Sequence, residues 1–285
     1  MTVVGVVSPG QMGSGLGESL RHGGCRVVAT LAGRSVRTAR LAAGLELLPD
    51  LDAVLAAAEV VLVVTPPAAA RAAATAIAGS AARVGTTPVV ADLNAVSPAT
   101  VADLATVLAG LDLVDGAVSG PPPTTRPGAT LYLSGPRADV LAGLPWTGIT
   151  PVVVGTTPGA ASAVKMCTAS VQKGLWGLVA QALATADAHG VLAPVAADVA
   201  GFLDRPDLAG PVANAAAKAH RYVAEMREIA ATQANAGLSP ALFEAFATVY
   251  AAIAGTDLAA DDPETVPADR ALAEAVHRLR TPGRG

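Results

Sequence analysis

Aromatic residues make up only 3% of the 285-residue chain, and its few basic residues form no run. Proteins that bind nucleic acids stack bases on aromatic side chains and hold phosphates with clustered Lys and Arg. With a net charge of −4 as well, the chain is not expected to bind nucleic acid. Two cysteines are too few for a disulfide framework, and the four histidines show no metal-binding spacing, so no metal site is expected either.

Long uninterrupted apolar segments are also lacking. The richest one, Ala53–Ala82, is interrupted by Glu59, Pro66 and Arg71 and cannot span a bilayer. Met1–Val3 carries no basic residue of the kind that opens a secretion signal. We therefore expect a cytoplasmic protein with no membrane partner.

The first half of the chain alternates between strand-like and helix-like segments. Short β-branched runs alternate with Ala- and Leu-rich helical stretches, a pattern that predicts βαβ units and a parallel sheet. Unbroken runs such as "EVVLVVTPP" are typical of strands that are covered on both faces. The predicted strands are Val3–Val7, Arg26–Thr30, Val60–Thr65, Pro88–Asp92, Leu111–Val118, Ala129–Ser134 and Thr150–Val154.

A glycine-rich loop, "SPGQMGSGLG", follows the first predicted strand. The dinucleotide pattern G-x-G-x-x-G aligns there as Ser8-x-Gly10-x-x-Gly13, with serine in place of the first glycine. Gly10 would leave room for a pyrophosphate, and Gly13 would let the following helix, with its free N–H groups, approach the strand. The alternative is a plain strand–turn–helix without a ligand. The candidate cofactor-binding residues of this loop are Ser8, Gly10, Gln11, Met12 and Gly13.

The end of the second predicted strand indicates which dinucleotide would bind. NAD sites usually have an acidic residue here for the ribose 2′-hydroxyl, but no acid occurs before Glu46. Arg34 and Ser35 stand there instead, and a guanidinium beside a hydroxyl suits a 2′-phosphate. This favours NADP(H) over NAD(H). In the alternative interpretation, Arg34 is an ordinary solvated residue that precedes the next helix.

The residue pattern becomes helical near residue 156 and stays so to about Leu279. We therefore predict an α/β fold, a Rossmann-like doubly wound parallel sheet in residues 1–155 that binds the dinucleotide. An all-α domain in residues 156–285 would follow, for substrate binding and dimerisation. Its many Ala and Leu residues imply a large apolar surface, which predicts a homodimer.

Lys165 is the candidate proton donor. It lies in "ASAVKMCTA", a stretch with no other charge, and burial of an amine lowers its pKa toward neutrality. Helical spacing places Ser162, Thr168 and Gln172 on its face, and Lys173 is a second candidate. The alternative for Lys165 is a surface lysine with a buried stem. Ser119 ends a predicted strand, where open α/β sheets bind ligands, and its hydroxyl can hold a substrate oxygen.

Four segments, in this order, resemble the β-hydroxyacid dehydrogenase superfamily, the group of 3-hydroxyisobutyrate dehydrogenase and 6-phosphogluconate dehydrogenase. They are "GVVSPGQMGSGLGESL", "DLNAVSPATVADLA", "VDGAVSGPPPTTRPGATLYLSG" and "GAASAVKMCTAS". Lys165 stands at the family's lysine, Ser119-Gly120 match its substrate segment, and Thr168-Ala169 replace its two asparagines. The C-terminal half resembles a less characterised subgroup. Thr65, Pro66 and Asn94 complete the candidate cofactor-binding set.

The resemblance implies an NADP-dependent oxidoreductase. It would transfer a hydride between nicotinamide and a small hydroxy acid or its carbonyl partner, with Lys165 moving the proton and Ser119 and Thr168 holding the substrate. Two alternatives stay open. An imine reductase shares this architecture but typically has Asp or Tyr where Lys165 stands. A nucleotide-binding module that has lost its chemistry would also fit the replaced glycine and asparagines.

Overall fold

The computed structural model describes residues 1–123, 126–188, 190–202, 208–235, 239–267 and 270–283. The chain divides into two compact units, Met1–Met166 and Cys167–Gly285. The division falls inside the helix Ala160–Ala188, so the first turns of that helix belong to the first unit.

The described residues of the first unit form an eight-stranded sheet with the order β3-β2-β1-β4-β5-β6-β7-β8. Neighbouring strands are parallel except β6 and β7. The strands are β1 Val3–Val7, β2 Arg26–Thr30, β3 Glu46–Leu48, β4 Val60–Val63, β5 Val89–Asp92, β6 Leu113–Ser119, β7 Ala129–Ser134 and β8 Ile149–Gly155.

This confirms the predicted α/β fold with two differences. The prediction omitted β3, because its three residues carry no β-branched side chain and no alternation that would mark a strand. The prediction was a parallel sheet, and the pairing of β6 with β7 is antiparallel. The connection between them, residues 120–128, is too short for the crossover that two parallel neighbours require.

Helices cover both faces of the sheet, as in a doubly wound fold. One buried cluster packs Leu16 and Leu141 on the sheet, and the cluster on the other face contains Val54, Ile77 and Leu104. The helices that begin in this unit are α1 Gln11–His22, α2 Val36–Leu41, α3 Leu51–Ala57, α4 Ala70–Val84, α5 Pro98–Val107, α6 Ala138–Ala142 and α7 Ala160–Ala188, with a 3-10 turn at Pro67–Ala69.

The described residues of the second unit form helices joined by turns, with one isolated β-bridge between Thr256 and Pro282, which confirms the predicted helical region. Its core is built around Tyr250, which is fully buried, and a Cβ at Gly177 of α7 would lie 3.2 Å from the Tyr250 ring. Its further helices are α8 Leu192–Phe202, α9 Ala209–Ala217, α10 Ala219–Asn235, α11 Ala241–Ala254 and α12 Leu272–Arg280, with a 3-10 turn at Asp257–Ala260. In the described part of the chain, no helix combines the length and hydropathy that a membrane crossing requires.

Candidate functional site at the carboxyl edge of the sheet

The loop after β1 makes the tight turn of a dinucleotide site without its first glycine. Ser8 adopts φ = 67°, the left-handed conformation that glycine adopts readily and other residues rarely. This conformation costs an L-residue about 1–2 kcal/mol. The Gly10 N–H closes the turn by donating to the Ser8 carbonyl oxygen at 2.7 Å. The serine therefore keeps the turn geometry, at the expense of local strain.

The two remaining glycines of the pattern have different roles. A Cβ on Gly13 would lie 2.6 Å from the Ser8 carbonyl oxygen, so only glycine lets α1 pack this closely. A Cβ on Gly10 would meet no atom of the described residues within 4 Å, so the space in front of the loop is open. Gly10 is also the N-cap of α1, and its residue type offers no side chain to cap the helix. No side-chain hydrogen bond caps the first turn of α1, which begins at Gln11 and Met12, and uncapped N–H groups at a helix N-terminus suit a diphosphate.

A cleft of about 160 Å³ lies beside this loop. Ser8, Thr30 and Arg34 supply its polar wall, and Leu51 and Ala73 contribute to its apolar wall. Arg34 is exposed on the connection that follows β2. Ser35 has a structural task, because its hydroxyl caps α2 by accepting the Thr38 N–H at 3.3 Å. Of the two residues predicted to meet a 2′-phosphate, Arg34 is the one that lines the cleft.

Asn94 ties the ends of β4 and β5 together. Its Oδ1 accepts hydrogen bonds from the Thr65 N–H at 2.5 Å and from the Thr65 hydroxyl at 3.2 Å. Its Nδ2 donates to Asp92 Oδ1 at 2.5 Å. Thr65 and Asn94 are buried, whereas the adjoining Pro66 is exposed. Asn94 thus fixes the Thr65–Pro66 connection at the carboxyl edge of the sheet.

Asp115 anchors the first turn of α7 on β6. This fully buried carboxylate accepts four hydrogen bonds, from the Ser134 hydroxyl, the Gly159 N–H, the Ser162 N–H and the Ser162 hydroxyl, at 2.6–3.0 Å. Its negative charge also stabilises the N-terminus of the helix. Ser162 was predicted to share the Lys165 face as part of a site wall, but its hydroxyl is committed to Asp115. The sequence signal for Asp115 was an acid inside the otherwise apolar strand "LVDGAVS".

Lys165 follows Ser162 by one helical turn, within the first unit. Its Nζ donates to the Val118 carbonyl oxygen at 2.8 Å, one residue before Ser119. The side chain is partly buried, and burial lowers the pKa of its ammonium. The ammonium thus binds the backbone at the end of β6. In a surface lysine with a buried stem, water would solvate the ammonium instead. Ser119 is half-buried there, and Gly120 beyond it has φ = 122° and packs closely on Ala129.

A second buried carboxyl group, Asp92, ends β5. Its side chain is 2% exposed, and among the described residues its Oδ2 has no hydrogen-bond partner. Burial, and after it the charge of Asp115, raises the pKa of Asp92 to about 7, against the opposing effect of hydrogen bonds from Asn94. Asp92 was not among the predicted site residues, although an acid at the end of the apolar run "VVAD" was a signal for it.

The remaining candidates lie in the second unit. Thr168 is exposed on α7. The Lys173 ammonium forms a largely buried ion pair with Glu225 and lies 4.7 Å from the centre of the Tyr222 ring. The Tyr250 hydroxyl donates to the Lys173 carbonyl oxygen at 2.6 Å. These contacts make Lys173 part of the packing of the second unit.

Within the first unit, parallel strands bring the ends of β1, β4, β5 and β6 to one edge of the sheet. That edge therefore carries Ser8, Thr65, Asn94 and Ser119, with the Lys165 ammonium on Val118. Ligands of open α/β sheets bind at this edge. The loop glycines, the open space at Gly10 and the adjacent cleft fit a dinucleotide, and the lysine supplies a titratable group.

Comparison with solved structures finds the same architecture in several proteins. The conserved protein MTH1747, of unknown function and described as structurally similar to 3-hydroxyacid dehydrogenases, is 25% identical with a TM-score of 0.65, over 88% of this chain and 96% of its own. Mycobacterium tuberculosis 3-hydroxyisobutyrate dehydrogenase is 19% identical with a TM-score of 0.68, and the match covers 99% of this chain and 100% of the dehydrogenase. A Streptomyces aurantiacus imine reductase is 24% identical with a TM-score of 0.53, and the match covers 98% of this chain and 99% of the reductase.

Family models divide the sequence between two domains. Residues 186–253 match a domain of unknown function, DUF1932. No curated protein sequence gives a significant match. Residues 3–145 match the NAD binding domain of 6-phosphogluconate dehydrogenase, which confirms the resemblance inferred from the four segments. The chain therefore belongs to the family of the 6-phosphogluconate dehydrogenase NAD-binding domain and is an NAD(P)-dependent oxidoreductase.

Proposed function

We propose that the protein is an NADP(H)-dependent enzyme that transfers a hydride between nicotinamide and a small hydroxy acid or its carbonyl partner. Lys165 is the group that moves the proton. The observation that carries this proposal is the position of the Lys165 ammonium, partly buried and bound to the Val118 carbonyl oxygen at the carboxyl edge of the sheet.

Residues of the first unit account for the cofactor. The N–H groups of the loop from Ser8 to Gly13 would hold the diphosphate, and Arg34 in the adjacent cleft would pair with a 2′-phosphate. The Thr65–Pro66 connection, fixed by Asn94, would support the other half of the dinucleotide. When bound, the nicotinamide supplies or accepts the hydride, so the protein has to orient the substrate and move one proton.

The lowered pKa of Lys165 suits it to that proton transfer. A general acid or base is most effective when its pKa approaches the working pH, and burial moves the pKa of the Lys165 ammonium in that direction. Lys165 would give a proton to the carbonyl oxygen during reduction and accept it from the hydroxyl during oxidation. Ser119 would hold the same oxygen. Lys173 is less suited, because Glu225 holds its ammonium.

Similarity supports a small hydroxy acid as the substrate class. The M. tuberculosis relative is a 3-hydroxyisobutyrate dehydrogenase described with L-serine, a small molecule that carries both a hydroxyl and a carboxylate. Imine reduction is the second candidate function, since the S. aurantiacus protein is an imine reductase of the same fold. The lysine at position 165 favours the hydroxy acid.

A homodimer is part of the proposal. On α7, Val171 and Leu178 are 69% and 56% exposed and stand seven positions apart, so they share one face of the helix. Exposed apolar side chains on one face are typical of an interface. A second copy of the chain is the partner that we propose for this face. A monomer in sedimentation at micromolar concentration would contradict it.

The function is tested by a panel of substrates rather than by one compound. NADP⁺ reduction is followed with small hydroxy acids, and NADPH oxidation with the matching carbonyl compounds and with imines. We expect turnover with at least one hydroxy acid and its carbonyl partner. Turnover with imines alone would assign the protein to imine reduction, and cofactor binding without any turnover would identify it as a nucleotide-binding module.

A further inference from the structure

Two acidic side chains lie side by side on the neighbouring strands β5 and β6. Asp92 of β5 and Asp115 of β6 are register partners, and the same row continues to Val63 of β4 and Ser134 of β7. Register partners on neighbouring strands point to the same face and lie about 5 Å apart. Two buried carboxylates at this spacing repel each other strongly, so one of them tends to keep a proton.

The hydrogen bonds show which of the two keeps it. Asp115 accepts four hydrogen bonds, including one each from the N–H groups of Gly159 and Ser162, and these stabilise its charged form. Asp92 accepts hydrogen bonds from Asn94, and its Oδ2 has no partner among the described residues. Asp92 is therefore the member of the pair whose protonated form its surroundings favour. The pKa of Asp92, about 7, agrees with this assignment.

The other elements around Asp92 contribute little charge. Its β4 neighbour in the row is the apolar Val63, and the first-turn N–H groups of α7 are bound to Asp115. The nearest described cation on α7 is Lys165, whose ammonium lies at Val118, three residues or about 10 Å along β6 from Asp115. Within the described residues, Asp115 is the one charged group that shifts the pKa of Asp92.

Asp92 is connected to the proposed cofactor site through Asn94. Asp92 accepts from Asn94, and Asn94 in turn accepts from Thr65 at the end of β4. A dinucleotide crosses a doubly wound sheet at the point where the strand order reverses, here between β1 and β4. With Arg34 beyond β2 for the adenosine half, the nicotinamide half falls over β4 and β5. The oxidised ring carries a positive charge and the reduced ring carries none.

We propose that Asp92 is a proton-linked positioning residue that distinguishes the oxidised from the reduced cofactor. Binding of NADP⁺ favours the ionised carboxylate, and the Asp92 proton passes to the solvent. Binding of NADPH leaves Asp92 protonated. This inference rests on the proposed cofactor site. Because linkage is reciprocal, raising the pH through 7 increases the affinity for NADP⁺ relative to NADPH.

The test is titration calorimetry of the full chain with NADP⁺ and with NADPH, each in two buffers of different ionisation enthalpy, which measures the protons released on binding. The 2′-phosphate titrates near pH 6 but is common to both cofactors, so the difference between them isolates the nicotinamide charge. If NADP⁺ lowers the pKa of Asp92 by about one unit, it releases about half a proton more per site than NADPH at pH 6.5. At pH 9 the difference should disappear, since Asp92 is already ionised.

The variant Asp92→Asn can still accept from Asn94 but has no acidic proton, so it should remove the difference at every pH. Asp103→Asn, on the exposed face of α5, is the matched control and should keep it. If Asp92→Asn does not fold, the comparison is made in Lys165→Met, which removes the other titratable group of the proposed site; a difference between the cofactors at pH 6.5 in that variant supports the inference, and its absence overturns it. Equal release by both cofactors at pH 6.5, or a difference that persists in Asp92→Asn, overturns the inference. If neither cofactor binds, the proposed function fails with it.

Discussion

The Lys165 ammonium donates to the carbonyl oxygen of Val118 at 2.8 Å, and Val118 directly precedes Ser119. This contact attaches the first turns of α7 to the end of β6. It also brings a cation with a lowered pKa to the sheet edge that is formed by the carboxyl ends of β1, β4, β5 and β6. Asp115, three residues earlier on the same strand, anchors the N-terminus of the same helix. The position of the lysine therefore depends on β6 at two points.

Replacing Asp115 with Asn should loosen this attachment. The neutral side chain places an amide group among four donors, so at least one buried donor loses its acceptor. Lost bonds to a buried charge cost about 2–4 kcal/mol, and chemical denaturation should show a decrease of this size in the free energy of unfolding. The same substitution at exposed Asp103 should change it by less than about 0.5 kcal/mol. Equal effects would show that Asp115 does not anchor the helix.

Arg34 should set the preference between the two dinucleotides. A charge-assisted contact with a phosphate contributes about 1.5–3 kcal/mol, so Arg34→Ala should weaken NADPH binding about 10- to 100-fold and leave NADH unchanged. Fluorescence titration with both cofactors measures this. Arg40→Ala, an exposed arginine later in the same segment, is the control and should alter neither affinity. Parallel losses of NADPH and NADH in Arg34→Ala would refute NADP specificity.

The stability of the protein should respond to the proton on Asp92. The folded protein keeps this proton up to about pH 7, whereas the unfolded chain loses it near pH 4. The native state thus binds more protons in this window, so the Asp92 contribution to the free energy of unfolding falls as the pH rises from 4 to 7. Asp92→Asn removes that contribution. Relative to wild type it should gain roughly 3–4 kcal/mol between pH 4 and pH 8. A pH-independent difference would contradict a raised pKa at Asp92.

The ion pair of Lys173 and Glu225 should matter for stability rather than for chemistry. Lys173→Met leaves the Glu225 carboxylate buried without its partner and should cost about 3–5 kcal/mol. Adding Glu225→Leu removes the stranded charge and should restore much of that loss. Thermal unfolding of both variants measures the coupling. If Lys173→Met instead abolished turnover in a fully stable protein, Lys173 would replace Lys165 as the proton carrier.

The elements that were predictable from the sequence are those fixed by local pattern. The runs Val3–Val7, Arg26–Thr30 and Ala129–Ser134 form strands with the predicted bounds, because a short run rich in β-branched residues between turn residues is a short-range signal. The strand Glu46–Leu48 was missed because it has no such alternation and is held by pairing with β2. The antiparallel pairing of β6 with β7 depends on the length of a connection, which periodicity does not report.

The candidate site was predictable only in part, for a related reason. Motif positions such as Gly10, Gly13 and Lys165 can be recognised in the sequence, because their spacing is fixed by one strand, one turn or one helix. Asp92 and Asp115 are separated by a helix and a loop and become neighbours only through the register of β5 and β6. The commitment of Ser162 to Asp115 likewise depends on which strand lies under α7. Such relations across the sheet need the tertiary structure.

The role of Lys165 is tested most directly by the turnover of Lys165→Met on the substrate identified by the panel. The methionine keeps the volume and the helix propensity but removes the titratable group. Lys165→Arg is the companion variant, since it keeps the positive charge but cannot release a proton at neutral pH. We predict that kcat falls about 10²- to 10⁴-fold in both variants while the Kd for NADPH stays within about twofold of wild type. Turnover of Lys165→Met within about threefold of wild type would contradict the assignment of the proton to Lys165.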